Sequence, residues 1–192
     1  MNRRLLPCLL ALLLAACSDP VDWKTRDISG LMPELAFTLT SERGEQVDAA
    51  DYRGKALLLF FGYTHCPDIC PLTLARLRAA LNRLEPRQRQ QVRVLFVSVD
   101  PARDDPARLR EYTDAFGPDV TGLTGTQAQL QALTRRYRVT YGYGDPDENG
   151  DYLVSHSSAV FAFDPEGEVR LLIRDEHGPE AIAADLQRLL PG

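Results

Sequence analysis

The segment that most constrains this chain is Lys55–Tyr63 (KALLLFFGY), an apolar run bounded by Gly54 and Thr64. Its length and lack of alternation suit a central strand buried on both faces. A second run, Val92–Val99 (VRVLFVSV), has the same character and predicts another buried strand. Between them a helix is expected from around Pro71, since proline is favoured at the first helical position. Leu72, Leu74, Leu77, Leu81 and Leu84 follow at mostly helical spacing, and Pro86 closes it.

The rest of the chain continues the alternation. Phe37 and Leu39 with the turn Glu42–Glu45 read as a hairpin. Asp104-Asp105-Pro106 opens a helix bearing Leu109, Tyr112 and Phe116, which Gly117-Pro118 stops. Val120–Leu123 reads as a short strand and Thr126–Tyr137 as a helix. Ala159–Phe163 and Glu168–Ile173 flank the turn Asp164–Gly167, and a helix over Pro179–Leu190 ends the chain. This pattern describes an α/β sandwich: a central mixed sheet, an N-terminal hairpin extension and flanking helices. The 192 residues, 44% hydrophobic, suffice for one domain with its own core and a short appendage.

The first 16 residues read as a secretory signal. Asn2-Arg3-Arg4 is a basic start, and Leu5–Ala16 is almost continuously apolar. At about 12 residues the run is too short to cross a bilayer, which takes roughly 20. It closes on Leu14-Ala15-Ala16-Cys17 followed by polar Ser18-Asp19-Pro20. Small residues before a cysteine at this place resemble the bacterial lipobox, which implies cleavage and lipidation of Cys17. The expectation is a signal over 1–16, lipidated Cys17 and a tether over 17–33, and a folded domain over 34–192. Such a protein sits on the periplasmic side of a bacterial membrane, lipid-anchored and monomeric. Cleavage leaves 20 basic against 27 acidic residues, a net of −7. No segment collects the Lys/Arg clusters that a nucleic acid requires, which excludes that class of partner.

Export also sorts the four cysteines. Cys8 leaves with the signal and Cys17 takes lipid, so Cys66 and Cys70 remain as thiols. In an oxidising compartment such a pair forms a disulfide or does redox or metal work. Both lie in Thr64-His65-Cys66-Pro67-Asp68-Ile69-Cys70-Pro71, between a buried strand and a helix N-terminus. Unpaired N–H groups and the helix dipole stabilise a thiolate there. In a helical turn the i, i+4 spacing brings both sulfurs to one side. The pair can hold one soft ion or close into a disulfide.

Strand, cysteine pair and helix in this order resemble the thioredoxin-like arrangement, although three residues separate the cysteines where thioredoxins have two. The sequence is more specifically similar to the Sco/SenC copper chaperones. The similarity lies in Cys66–Pro71, in Gly62-Tyr63-Thr64 before it and in Val97-Ser98-Val99-Asp100-Pro101 after it. It extends to Tyr152-Leu153-Val154-Ser155-His156-Ser157, just before the closing hairpin, and covers roughly residues 33–190. One departure is Ser155, where the resemblance leads one to expect Asp. The resemblance implies a thioredoxin-like sandwich that holds copper through Cys66, Cys70 and His156. It also implies delivery, by ligand exchange, to the binuclear copper site of cytochrome c oxidase subunit II or to another periplasmic copper protein. Two thiolates and an imidazole suit Cu(I) and, with a further ligand, Cu(II), whereas a structural zinc site usually takes four protein ligands. The substrate-docking proline of thioredoxin-like reductases is missing, its position falling at Ser158, which favours a metal over a peptide thiol. The alternative use of the same cysteines is thiol–disulfide reduction of the recipient, and the two roles can coexist.

Other candidates carry less. His65 adjoins Cys66 but is expected to point away from it, and His177 to sit in a polar surface loop. Asp100 ends the second buried strand, where sites in open α/β sheets form, and can shape a pocket there. Asp68 is an additional ligand or a solvated acid. Asp145–Asp151 (DPDENGD) matches positions 1, 3, 5 and 6 of an EF-hand loop, but position 12 is His156 and no helix precedes it, which argues against calcium. It reads instead as an acidic, turn-rich loop carrying His156.

Overall fold

A computed structural model describes residues 21–190. The signal-like run, Cys8 and Cys17 lie outside the described residues. In chain order the elements are β1 (Arg26–Asp27), β2 (Thr38–Ser41), β3 (Gln46–Asp48), a 3-10 turn (Ala49–Tyr52), β4 (Ala56–Gly62), α1 (Ile69–Leu81), α2 (Pro86–Gln90) and β5 (Val92–Ser98). They continue with α3 (Pro106–Asp114), β6 (Val120–Thr124), α4 (Gln127–Arg136), β7 (Tyr141–Tyr143), β8 (Val154–His156), β9 (Val160–Phe163), β10 (Val169–Ile173) and α5 (Pro179–Leu189).

Eight strands form one sheet in the order β1-β10-β9-β4-β5-β6-β2-β3, while β7 and β8 make a separate two-stranded ribbon. β4, β5 and β6 run parallel, β9 lies antiparallel to β4 and β2 antiparallel to β6. This is the mixed-sheet sandwich the sequence predicts, with β2–β3 as the N-terminal hairpin. Every residue of β4 is buried, as are all of β5 but Arg93. Each Leu or Phe so placed contributes about 2 kcal/mol through apolar burial. α1 and α5 lie against each other; α1 buries Leu74, Leu77 and Leu81, and α5 buries Ile182 and Leu186.

Three local differences from the sequence reading have physical causes. α1 begins at Ile69, with Asp68 as N-cap, so Pro71 is its third residue. First-turn N–H groups have no intrahelical partner, so proline is tolerated throughout that turn. α1 ends at Leu81, and Leu84 lies in a tight turn in which its N–H donates to the Leu81 carbonyl at 3.1 Å. Pro86 opens the separate short helix α2, since proline starts a helix as readily as it stops one. Finally, part of the segment read as tether joins the folded body. Arg26 pairs with Leu172, and the buried Asp185 carboxylate accepts from the N–H groups of Lys24 (2.9 Å) and Thr25 (2.7 Å). A strand of two exposed residues has no periodicity to read.

Candidate metal centre

The site forms where the parallel strands β4 and β5 end, paired at Gly62 and Ser98. The chain leaves β4 through Tyr63 and Thr64, and the Cys66 N–H turns back onto the Tyr63 carbonyl at 3.3 Å. Cys70 then falls in the first turn of α1. Its N–H, without an intrahelical partner there, donates to Cys66 Sγ at 3.4 Å. The helix terminus thus joins the two cysteines. Both are free thiols; Cys66 is 9% exposed and Cys70 fully buried. Gly62 makes room for the inner sulfur, because a Cβ there would stand 2.6 Å from Cys70 Sγ.

The histidine arrives on the ribbon. In β8 the alternation of a strand turns Val154 and His156 to one side and Ser155 to the other. His156 Nε2 lies 3.2 Å from Cys70 Sγ. Its Nδ1 lies 3.0 Å from the Ser157 carbonyl and donates to it, which leaves the Nε2 lone pair facing the sulfurs. Phe60 and Tyr63 meet the ring edge-on, at 6.0 and 5.8 Å between centroids. One ligand atom from each of Cys66, Cys70 and His156 lies within 4.8 Å of the others, the one such group among the described residues.

Burial sets the protonation of this cluster. Removal from water pushes the Cys70 thiol well above its ordinary value, the opposite of the thiolate that its place at a helix terminus suggests from sequence. Burial likewise lowers His156, keeping the imidazole neutral. Above pH 9.0, the ordinary thiol value, the unfolded chain gives up a proton that folded Cys70 keeps, so stability is lost as pH rises. Below pH 6.5 the unfolded chain takes up a proton that folded His156 resists, so stability is lost as pH falls. Urea denaturation of the metal-free protein is expected to show both limbs, with His156→Gln flattening the acid one. An acid limb untouched by that substitution would contradict the assignment.

The remaining candidates fall outside the cluster. His65 points away, with Nδ1 3.1 Å from Thr64 Oγ1. Asp68 is exposed at the start of α1. His177 Nδ1 accepts from the Arg174 N–H at 2.9 Å, closing a turn. Ser155 donates to the Gly142 carbonyl of its own ribbon at 3.2 Å, and Ser158 to Asp175 at 2.7 Å. Asp147 accepts from the N–H groups of Asn149 and Asp151, folding the acidic loop onto itself. Asp100 is wholly buried and holds Arg103 and Tyr152.

Asp104 has a role the sequence reading missed. Fully buried, it accepts from the Thr64 N–H at 2.9 Å and Thr64 Oγ1 at 2.7 Å, fixing the approach to Cys66. A signal was present: Asp104-Asp105 offers two acids where one N-cap suffices, and Asp105 takes the cap by accepting from the Arg108 N–H.

Over most of its length the chain is similar to known proteins. A family model described as SCO1/SenC matches residues 31–191. Protein SCO2 homolog, mitochondrial, of Mus musculus is 38% identical over 160 residues, covering 80% of this chain and 63% of that protein. Protein SCO1 homolog, mitochondrial, of Homo sapiens is 38% identical over 133 residues, covering 69% and 44%. The chain spans about half to just under two-thirds of the length of the first curated relatives it matches. Among solved structures, Bradyrhizobium japonicum ScoI with copper bound superposes with a TM-score of 0.75 at 36% identity, covering 82% of this chain and 99% of that one. Yeast Sco1 with copper bound gives 0.75 at 32% identity, covering 82% and 87%. Two buried thiols, a neutral imidazole, the sandwich that gathers them and a match over nearly all the described residues agree: this chain belongs to the SCO1/SenC family.

Proposed function

We propose that the chain binds one copper ion through Cys66, Cys70 and His156 and passes it to the binuclear copper site of cytochrome c oxidase subunit II. The observation that carries this reading is the convergence of the three donors within 4.8 Å at the sheet end. The ScoI and Sco1 structures solved with copper bound lend support through their shared fold. The donors are soft and few, as Cu(I) prefers. Loading releases the Cys70 proton, because only the thiolate ligates. Transfer proceeds by ligand exchange, with recipient thiols displacing one donor at a time. Exposure orders the steps: half-buried His156 first, then Cys66, and fully buried Cys70 last. Lipid on Cys17 holds the domain on the periplasmic face of the membrane, where the recipient's copper domain is met.

A second reading uses the same sulfurs as a reductant. Cys66, the more accessible thiol, attacks a recipient disulfide, and Cys70 resolves the mixed species. Two electrons pass to the recipient and a Cys66–Cys70 disulfide remains.

One experiment separates the readings. The Cu(I)-loaded protein is mixed with the reduced, metal-free copper domain of subunit II, and copper in each is measured after separation. Copper is expected to move to the recipient from wild type, and His156→Ala to load poorly. In a parallel assay on the disulfide form of the same domain, reduction undiminished in His156→Ala, with no copper moved by wild type to the reduced form, would favour the reductase instead.

A further inference from the structure

The turn after β5 reaches both arms of the metal site without offering it a ligand. Asp104 fixes Thr64 on the cysteine arm. Asp100, four residues earlier, serves the histidine arm: one carboxylate oxygen accepts from Arg103 Nε at 2.6 Å, the other from the Tyr152 hydroxyl at 2.8 Å. Arg103 Nη2 donates to the Tyr152 carbonyl at 2.9 Å. Its guanidinium lies 3.6 Å from the centroid of the Tyr152 ring and 5.8 Å from that of Tyr63, whose ring meets His156 edge-on.

The ribbon that carries His156 needs such a tie. β7 and β8 have three residues each and are not hydrogen-bonded into the main sheet. An isolated two-stranded hairpin is marginal in water. Among the described residues its other anchors include Tyr143, whose hydroxyl donates to the Val99 carbonyl at 2.6 Å.

We propose that Arg103, fixed by Asp100, is a positioning residue that holds the Tyr152–His156 segment so that Nε2 meets the sulfurs. This rests on the copper-binding reading for its purpose, though not for its geometry. Arginine suits the place because its planar group stacks on an aromatic ring while its fork serves two acceptors. Asp100 is thereby committed to two donors and is not a copper ligand.

The test pairs a metal-free readout with a metal-dependent one. In metal-free Arg103→Ala, amide hydrogen exchange across 141–156 is expected to quicken about tenfold or more, while β4 and β5 keep their protection. Cu(I) affinity by chelator competition is expected to fall about 10- to 100-fold, as for groups that orient a metal-ligating histidine. The equilibrium of the cysteine pair with glutathione is expected to stay within about twofold, since that arm is held by Asp104. On a His156→Ala background, Arg103→Ala is expected to cost no further affinity. Arg103→Lys keeps the charge without the stack; smaller changes in the same directions are expected, and it replaces the alanine variant if that does not fold. Unchanged exchange in the ribbon would overturn the proposal, as would an undiminished loss of affinity on the His156→Ala background. A wild type that binds no copper would overturn the copper reading, leaving the exchange result to decide the clamp.

Discussion

The Cys70→Ser variant is expected to lose copper binding while keeping its fold. Cys70 is the innermost donor, fully buried beside Gly62 and facing His156 Nε2 at 3.2 Å. A serine hydroxyl can donate to the same nitrogen, so no buried polar group is orphaned and the stability change should stay near about 1 kcal/mol. Its oxygen, however, is a hard donor that keeps its proton at neutral pH, a poor partner for Cu(I). Affinity is expected to fall by about a thousandfold or more, equivalent to about 4 kcal/mol. Competition with a Cu(I) chelator measures the loss, and urea denaturation of the same sample measures the fold. A folded variant binding within about threefold of wild type would remove Cys70 from the ligand set.

The second large effect is expected at Gly62, and it strikes fold and site together. Its backbone is ordinary, so the cost of a side chain is one of space alone. A Cβ would lie 2.6 Å from Cys70 Sγ and 2.6 Å from Phe96 Cε2, in a wholly buried setting where the ring has little room to move. Gly62→Ala should therefore destabilise by about 1–3 kcal/mol, the usual toll of overpacking. It should also weaken copper binding, because the sulfur is displaced from His156. Gly142→Ala is the matched control: its Cβ meets Ser155 Oγ at 3.4 Å, an ordinary contact, and stability should stay within about 0.5 kcal/mol. Equal denaturation midpoints for the two variants would contradict the packing account.

What the sequence reveals here follows from where each interaction is made. β4 and β5 are legible as apolar runs because both faces of each are covered, leaving no polar alternation. The cysteine pair is legible because strand, pair and helix are contiguous. The starts of α1 and α2 blur because proline fits more than one place in a first turn and also marks an end. The ribbon is not legible as strands: Tyr-Gly-Tyr and Val-Ser-His are too short to show a period, and they are fixed by contacts with residues about 40 to 50 positions away, Tyr143 on Val99 and Tyr152 on Asp100 and Arg103. His156 could therefore be picked out through its resemblance to a family and its place before the closing hairpin. How its ring is held required the fold. Asp100 and Asp104 likewise read as strand-end and helix-start acids until the chain turns both inward, each to a different arm of the site.

X-ray absorption at the copper edge of the loaded protein tests the central claim most directly. The account predicts a shell of two sulfurs and one imidazole nitrogen, with the imidazole signature lost in His156→Ala and one sulfur lost in Cys66→Ser. Copper bound in wild type by sulfur alone, with no histidine signature, would contradict it.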